Sequence, residues 1–232
     1  MTTFDIWYKI ATTAMRGYLA LFMESIHVQG FEHVPQGPKI IVANHPNASD
    51  AFVLPFIFRE KLHCLIEEDL FRVPVVGRIL ALADQIPVVA GQGRLALRMA
   101  QEKLMEGKTV VIFPEGQLNH GEALRRAGSG AVFLALQTHA PILPLGIYVP
   151  SESTKTIIRH MFNRTTVGRW QWGGKMYLTI GEPWLPAMRE NFDRQYNSVR
   201  EVTEAMMGRV NQLVAQARMT ADGGQQTADP AA

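Results

Sequence analysis

Residues 40–52 read IIVANHPNASDAF and place His45 and Asp50 five positions apart, between an apolar run with strand character and one with helix character. In an unbroken helix such positions diverge by roughly 140° and do not meet. Pro46 and Asn47 instead predict a turn, with the helix starting near Ser49 or Asp50. That turn can fold His45 back over Asp50. The carboxylate then takes the imidazole Nδ1–H and leaves Nε2 as an acceptor, the arrangement of an oriented general base. The alternative is that Asp50 or Ser49 only caps the helix and His45 is a loop residue. That alternative leaves Asn44 and His45 without a reason to stand at the strand end.

A second polar turn follows the apolar run TVVIF: Pro114-Glu115-Gly116-Gln117-Leu118-Asn119. It offers a carboxylate and a glycine that permits close backbone approach; alone, it also reads as an ordinary loop. A competing motif is Gly91-x-Gly93-x-x-Ala96, which follows a strand and opens a helix, with Glu115 lying 22 residues past Gly93. That spacing is close to a dinucleotide-binding fingerprint, although the third glycine is an alanine and the motif leaves NHPNASD unexplained. Ser129 in AGSGA lacks the glycines of a nucleophile elbow.

These residues need a scaffold. Candidate strands are KIIVA, LHCLI, IPVVA, TVVIF, ILPLGIY and KMYLTI, and candidate helices are 50–59, 77–83, 94–106 and 130–138. Gly107 stands where the third helix needs its C-terminal cap. The strands are continuous apolar runs rather than alternating ones, so both faces are covered. The expected fold is α/β: a single domain with a central, mostly parallel sheet flanked by helices, an N-terminal amphipathic helix and a C-terminal helix. Ligands of such sheets bind beyond the carboxyl ends of strands, where both polar turns lie.

The chain has 232 residues, enough for one large domain, and a formal net charge of only +2, so no nucleic-acid partner is implied. Cys64 is the only cysteine, which excludes an internal disulfide, and no zinc-type Cys/His spacing occurs, so no metal ligands are assigned. The expected organisation is a helix over residues 1–25, a catalytic domain over 26–218 and a disordered polar tail over 219–232. In the first helix Asp5, Lys9, Arg16 and Glu24 interrupt the apolar run, which falls short of the roughly 18 to 20 residues needed to span a bilayer; a secretory signal is not expected either. Ile6, Ile10, Thr13, Gly17 and Leu21 share a face, with Trp7 and Tyr8 beside them. That face either lies in a membrane interface, with Lys9 and Arg16 near headgroups, or caps the core. Arg159, Arg164, Arg169, Trp170, Trp172 and Lys175 interleave basic and aromatic residues; they suit a membrane interface or an exposed loop with a buried tryptophan.

Taken together and in this order, the turns resemble the glycerolipid acyltransferase family, which includes lysophosphatidic acid acyltransferases. NHPNASD matches the family's Asn-His, four residues, Asp motif; FPEG matches the core of its second signature; APILPLGI and TIGEPW are similar to its later blocks. The resemblance runs from about residue 26 to residue 186. It implies O-acyl transfer, with His45 and Asp50 catalytic. Asn44, Glu115, Gly116, Gln117 and Asn119 are implied in substrate binding. The donor would be acyl-CoA or acyl-carrier protein, with no other cofactor and no metal. The acceptor would be a membrane lipid, by family default a lysophospholipid, and the setting cytoplasmic and peripheral on the membrane surface. The sequence is silent on oligomeric state.

Two family arginines that hold the acceptor's phosphate are replaced here by Leu118 and Ala90, neither of which can fork onto phosphate. Arg94, Arg125 and Arg126 are the candidate substitutes, or else solvated helix-end charges. The same chemistry on a glycolipid, carotenoid glycoside or aminolipid is the alternative, followed by a non-catalytic lipid-binding protein and then a dinucleotide enzyme.

Overall fold

The computed structural model describes residues 3–116, 118, 127–161, 164–186 and 195–223. Helix α1 (Thr3–Phe22) leads into strand β1 (Ser25–Gln29), followed by β2 (Ile40–Ala43), α2 (Asp50–Ile57), β3 (Leu62–Glu67), α3 (Glu68–Phe71), α4 (Val76–Leu82), β4 (Ile86–Val88), α5 (Gly93–Met105), β5 (Thr109–Ile112), α6 (Gly130–Thr138) and β6 (Ile142–Tyr148). The chain closes with β7 (Thr154–Met161), β8 (Arg164–Gln171), β9 (Lys175–Ile180) and α7 (Gln195–Gly223). Seven strands form one sheet in the order β1-β9-β6-β2-β5-β3-β4, and β7 and β8 form a separate antiparallel hairpin. Strands β2 to β6 all run the same way; β9 is antiparallel to β6 and carries β1 parallel to itself.

The continuous apolar strands are covered on both faces, as their pattern predicts. In β2, Ile40 and Val42 join the helical layer of α5, α6 and α7, while Ile41 and Ala43 join the layer of α1 and α2. Strand β5 repeats the division, with Val110 and Ile112 on the first side and Val111 on the second. Burial of this kind contributes on the order of 1.5–3 kcal/mol per large aliphatic side chain. The predicted mostly parallel α/β domain, with a helix at each end, is the observed one.

Three details decide between sequence alternatives or differ from an expectation. The face Ile6, Ile10, Thr13, Gly17, Leu21 of α1 is the outward one; Tyr8, Thr12, Tyr18 and Leu19 turn inward instead. Tyr8 fastens the helix, its hydroxyl accepting the Leu62 amide at 2.9 Å and donating to the Glu60 carbonyl at 3.3 Å. Residues 219–223, expected in the tail, belong to α7, which continues through Gly223; the rest of the expected tail lies outside the described residues. The basic and aromatic run before Lys175 is no loop: it builds β8 and the end of β7.

Candidate active site

Strand β2 ends at Ala43, and the next residue locks its exit. The buried amide of Asn44 donates to the Ile147 carbonyl of β6 at 2.8 Å and accepts the Ile147 N–H at 2.7 Å. This two-point bond continues the ladder one residue past the strand, so the following turn starts from a fixed place. His45 then lays its ring on Phe113, which follows β5, with centroids 4.1 Å apart and planes 18° from parallel.

The turn folds back as anticipated. The Asp50 N–H bonds the Asn47 carbonyl at 3.2 Å, and His45 Nδ1 lies 3.1 Å from Asp50 Oδ2. The same oxygen accepts the Asn47 amide at 2.8 Å. An ionised carboxylate only accepts, so it sets Nδ1 as the protonated ring nitrogen and Nε2 as the free acceptor. Asp50 is fully buried whereas His45 keeps 17% of its side chain exposed, so the oriented ring remains reachable. Burial pushes the Asp50 carboxyl above its ordinary value; the hydrogen bond and charge of His45 and the Asn47 amide oppose that. Asp50 Oδ1, Asn47 Oδ1 and Ser49 Oγ are buried with no partner among the described residues. Ser49 occupies the N-cap position of α2 but makes no side-chain cap bond, so capping does not account for the motif.

The second turn arrives on β5, parallel and adjacent to β2. Glu115 is buried, and its Oε1 accepts the backbone N–H of His45 at 3.3 Å. The two motifs are therefore joined by a direct bond. Gly116 adopts φ 67°, with open space where a Cβ would stand, so the turn's conformation rather than close approach demands glycine. Its N–H is taken by the Phe113 carbonyl at 3.0 Å and serves the turn itself.

Leu118, at the position of a family arginine, is half-buried and packs against Gly168 of β8. The hairpin also touches the His45–Asp50 turn, since the Ala48 N–H donates to the Arg169 carbonyl at 2.9 Å. Arg94 is exposed on the first turn of α5, at the same sheet edge. It follows β4, however, and β5 and β3 stand between β4 and β2, a separation of about 14 Å at the usual strand spacing. The structure does not bring it to the pair. Gln117, Asn119, Arg125 and Arg126 lie outside the described residues. The dinucleotide reading loses its acidic residue, because Glu115 is committed to the His45 amide. Phe113 was not anticipated, nor was the contact of Arg169 with this turn, Arg169 having been read only within the basic and aromatic run; an aromatic one position before Pro-Glu-Gly was the available signal for Phe113.

Comparison with known proteins agrees with this geometry. A family model described as Acyltransferase matches residues 25–148. A 1-acyl-sn-glycerol-3-phosphate acyltransferase of Pseudomonas aeruginosa is 32% identical over 122 residues, 51% of this chain and 47% of the relative. The protein of the same name from Borreliella burgdorferi is 32% identical over 127 residues, 53% of this chain and 51% of the relative. The alignments thus span about half the length of these curated relatives. The crystal structure of the 1-acyl-sn-glycerophosphate acyltransferase PlsC from Thermotoga maritima superposes with a TM-score of 0.66 over 97% of this chain and 81% of that one, at 21% identity, and so shares the fold. With more than half of its length matched by the family model, and both motif turns bonded to each other at one sheet edge, the chain belongs to the Acyltransferase family.

Proposed function

We propose that this chain transfers a fatty acyl group from an acyl thioester, acyl-CoA or acyl-carrier protein, to a hydroxyl of a lysophospholipid such as lysophosphatidic acid. The observation that carries the reading is the buried Asp50 carboxylate holding the half-open His45 ring at 3.1 Å. In the proposed step, His45 Nε2 takes the hydroxyl proton as that oxygen bonds to the thioester carbonyl carbon. The tetrahedral centre then collapses, the carbon–sulfur bond breaks, and the imidazolium returns the proton to the departing thiolate. Asp50 stabilises the imidazolium between these events. A thioester is reactive enough that this needs neither a metal nor a covalent enzyme intermediate. Glu115 and Asn44 position the turn.

The reading places the protein peripherally on a membrane. Among the described residues no helix is long and apolar enough to cross one, and α1 ends in Leu21 and Phe22, both exposed. Apolar side chains exposed at a helix end suit the headgroup boundary of a bilayer. A second reading, the same chemistry on an acceptor without phosphate, is favoured by Leu118, an apolar side chain packed against the hairpin where an arginine fork would be needed.

The test is His45→Ala with labelled acyl-CoA and a panel of lipid acceptors, products identified by mass spectrometry. Turnover is expected to fall by about 10²–10⁴ with an unchanged melting temperature. Undiminished turnover removes the mechanism, and the acylated product decides between phosphate-bearing and neutral acceptors.

A further inference from the structure

The turn between α3 and α4 holds a valine in a strained conformation and exposes it. Val75 has φ 69° and ψ −56°, and the Val76 N–H donates to the Pro74 carbonyl at 2.8 Å. Together these define a three-residue γ-turn with positive φ, a rare and strained geometry that is least tolerated by β-branched side chains. Val75 is nevertheless 71% exposed, and Val76 beside it is exposed as well. The strain brings no core burial at this residue, which points to a role outside folding. The turn is held firmly. The Gly77 N–H bonds the Val73 carbonyl at 2.8 Å, and a Cβ on Gly77 would collide with the Phe71 carbonyl.

Its location matters as much as its conformation. The turn leaves the sheet after β3, which runs parallel to β5 and hence to β2, so it stands at the edge that carries His45. Helix α4, which begins at Val76, packs against α1. Farther along that edge, where α1 meets β1, Leu21, Phe22 and Trp172 are also exposed, with the Phe22 and Trp172 rings edge-on at 6.0 Å. In the sheet order, β2 lies between β1 and β3. The catalytic edge is therefore flanked by two exposed apolar tips.

We propose that the Pro74–Val76 turn inserts into a lipid bilayer and, with Leu21, Phe22 and Trp172 as the second contact, sets the His45 edge down on the membrane surface. The occupant is a bilayer rather than a protein because the exposed Val75 and Val76 side chains are followed by the exposed Arg78, and a basic residue beside an apolar tip suits anionic headgroups. The two acidic residues below it, Glu68 and Asp69, are held by Arg72 at 3.0 and 3.4 Å. The proposal rests on the lipid-acceptor reading and adds the orientation of the edge.

The experiment compares the full chain with Val75→Asp and Val75→Gly. Cosedimentation uses vesicles of phosphatidylglycerol and phosphatidylethanolamine, and turnover is measured on vesicle-borne and on monomeric short-chain lysolipid. Val75→Asp is expected to lower vesicle partitioning about tenfold, as loss of one inserted valine implies. Val75→Gly is expected to lower it several-fold while the melting temperature holds or rises, because glycine relieves the strain. Turnover should fall with partitioning on vesicles and stay unchanged on the monomeric acceptor. Wild-type partitioning in Val75→Asp overturns the proposal, as does a destabilised Val75→Gly or a wild type that self-associates through this turn. A wild type that partitions but acylates neither acceptor overturns the functional reading instead and leaves the partitioning comparison decisive for the turn.

Discussion

His45 and Asp50 meet because Pro46 and Asn47 cannot carry a strand straight into a helix, and that much is written in the local sequence. The hydrogen bonds within the turn span three to five residues, a range over which residue type predicts geometry. Phe113 under the ring and Glu115 on the His45 amide were not legible in the same way. Those contacts join residues about 70 positions apart, and only the alignment of two strands brings them together. Asp50 also illustrates a conflict between stability and chemistry. Burial raises its carboxyl above the ordinary 3.8, so the folded chain holds that proton more tightly than the unfolded one. Stability is then lost as pH rises above that ordinary value and the buried group must ionise. Asp50→Asn keeps the shape without the charge. It is expected to gain stability relative to the wild type between pH 4 and pH 7, while turnover falls by about 10²–10⁴ for want of an acceptor-only partner. Melting curves at the two pH values, with turnover at the higher one, check both halves; equal destabilisation at both would make Asp50 a structural residue.

Among the elements, the legible ones were those buried on both faces. After Lys39 and Thr109, KIIVA and TVVIF are apolar, and they became the fully buried strands that lead into the His45 and Glu115 turns. Strand β1 was missed because SIHVQ is half-buried throughout, and the hairpin because its basic and aromatic residues mask the strand pattern. Helix α1 carries apolar residues on more than one face, so periodicity alone could not say which faces the body; the tyrosine hydroxyls at positions 8 and 18 bonding to backbone decide it. A close helix–sheet approach was equally hidden. Gly146 in β6 lies under α7, and a Cβ there would collide with the backbone of Leu213 and Val214. Gly146→Ala is therefore expected to cost about 3 kcal/mol through overpacking, read as a lower urea midpoint with an unchanged m-value. A neutral result would mean that α7 shifts freely on the sheet.

For the molecule as a whole, chain direction divides the labour between the two ends of the sheet. Five strands run one way, so their carboxyl ends bring the His45 and Glu115 turns together at one edge, where open α/β sheets bind their ligands. Their amino ends are closed by buried polar groups. Lys39 pairs with Glu60 at 2.8 Å and donates to Thr109 at 3.2 Å, and Thr109 donates to Glu60 at 2.8 Å. Beside them His63 donates from Nδ1 to the Asp84 carbonyl at 2.8 Å, while the Asp84 carboxylate holds Lys103 at 2.9 Å. This bracing makes the amino end sensitive to acid. Burial lowers the His63 pKa below its ordinary 6.5, and the Lys61 and Lys103 charges push the same way, against the pull of Asp84. The unfolded chain then binds a proton near 6.5 that the folded chain refuses. The stability present above that pH is lost as pH falls through and below it. His63→Asn retains an N–H for the Asp84 carbonyl and removes the titration. It is expected to be less stable than the wild type at pH 7, where it leaves space in the core, and to lose less stability on going to pH 5. Urea midpoints at pH 7, 6 and 5 test this. Parallel declines in the two proteins would place the acid sensitivity elsewhere, whereas converging midpoints would locate it at the buried amino end of β3, across the sheet from the His45 edge.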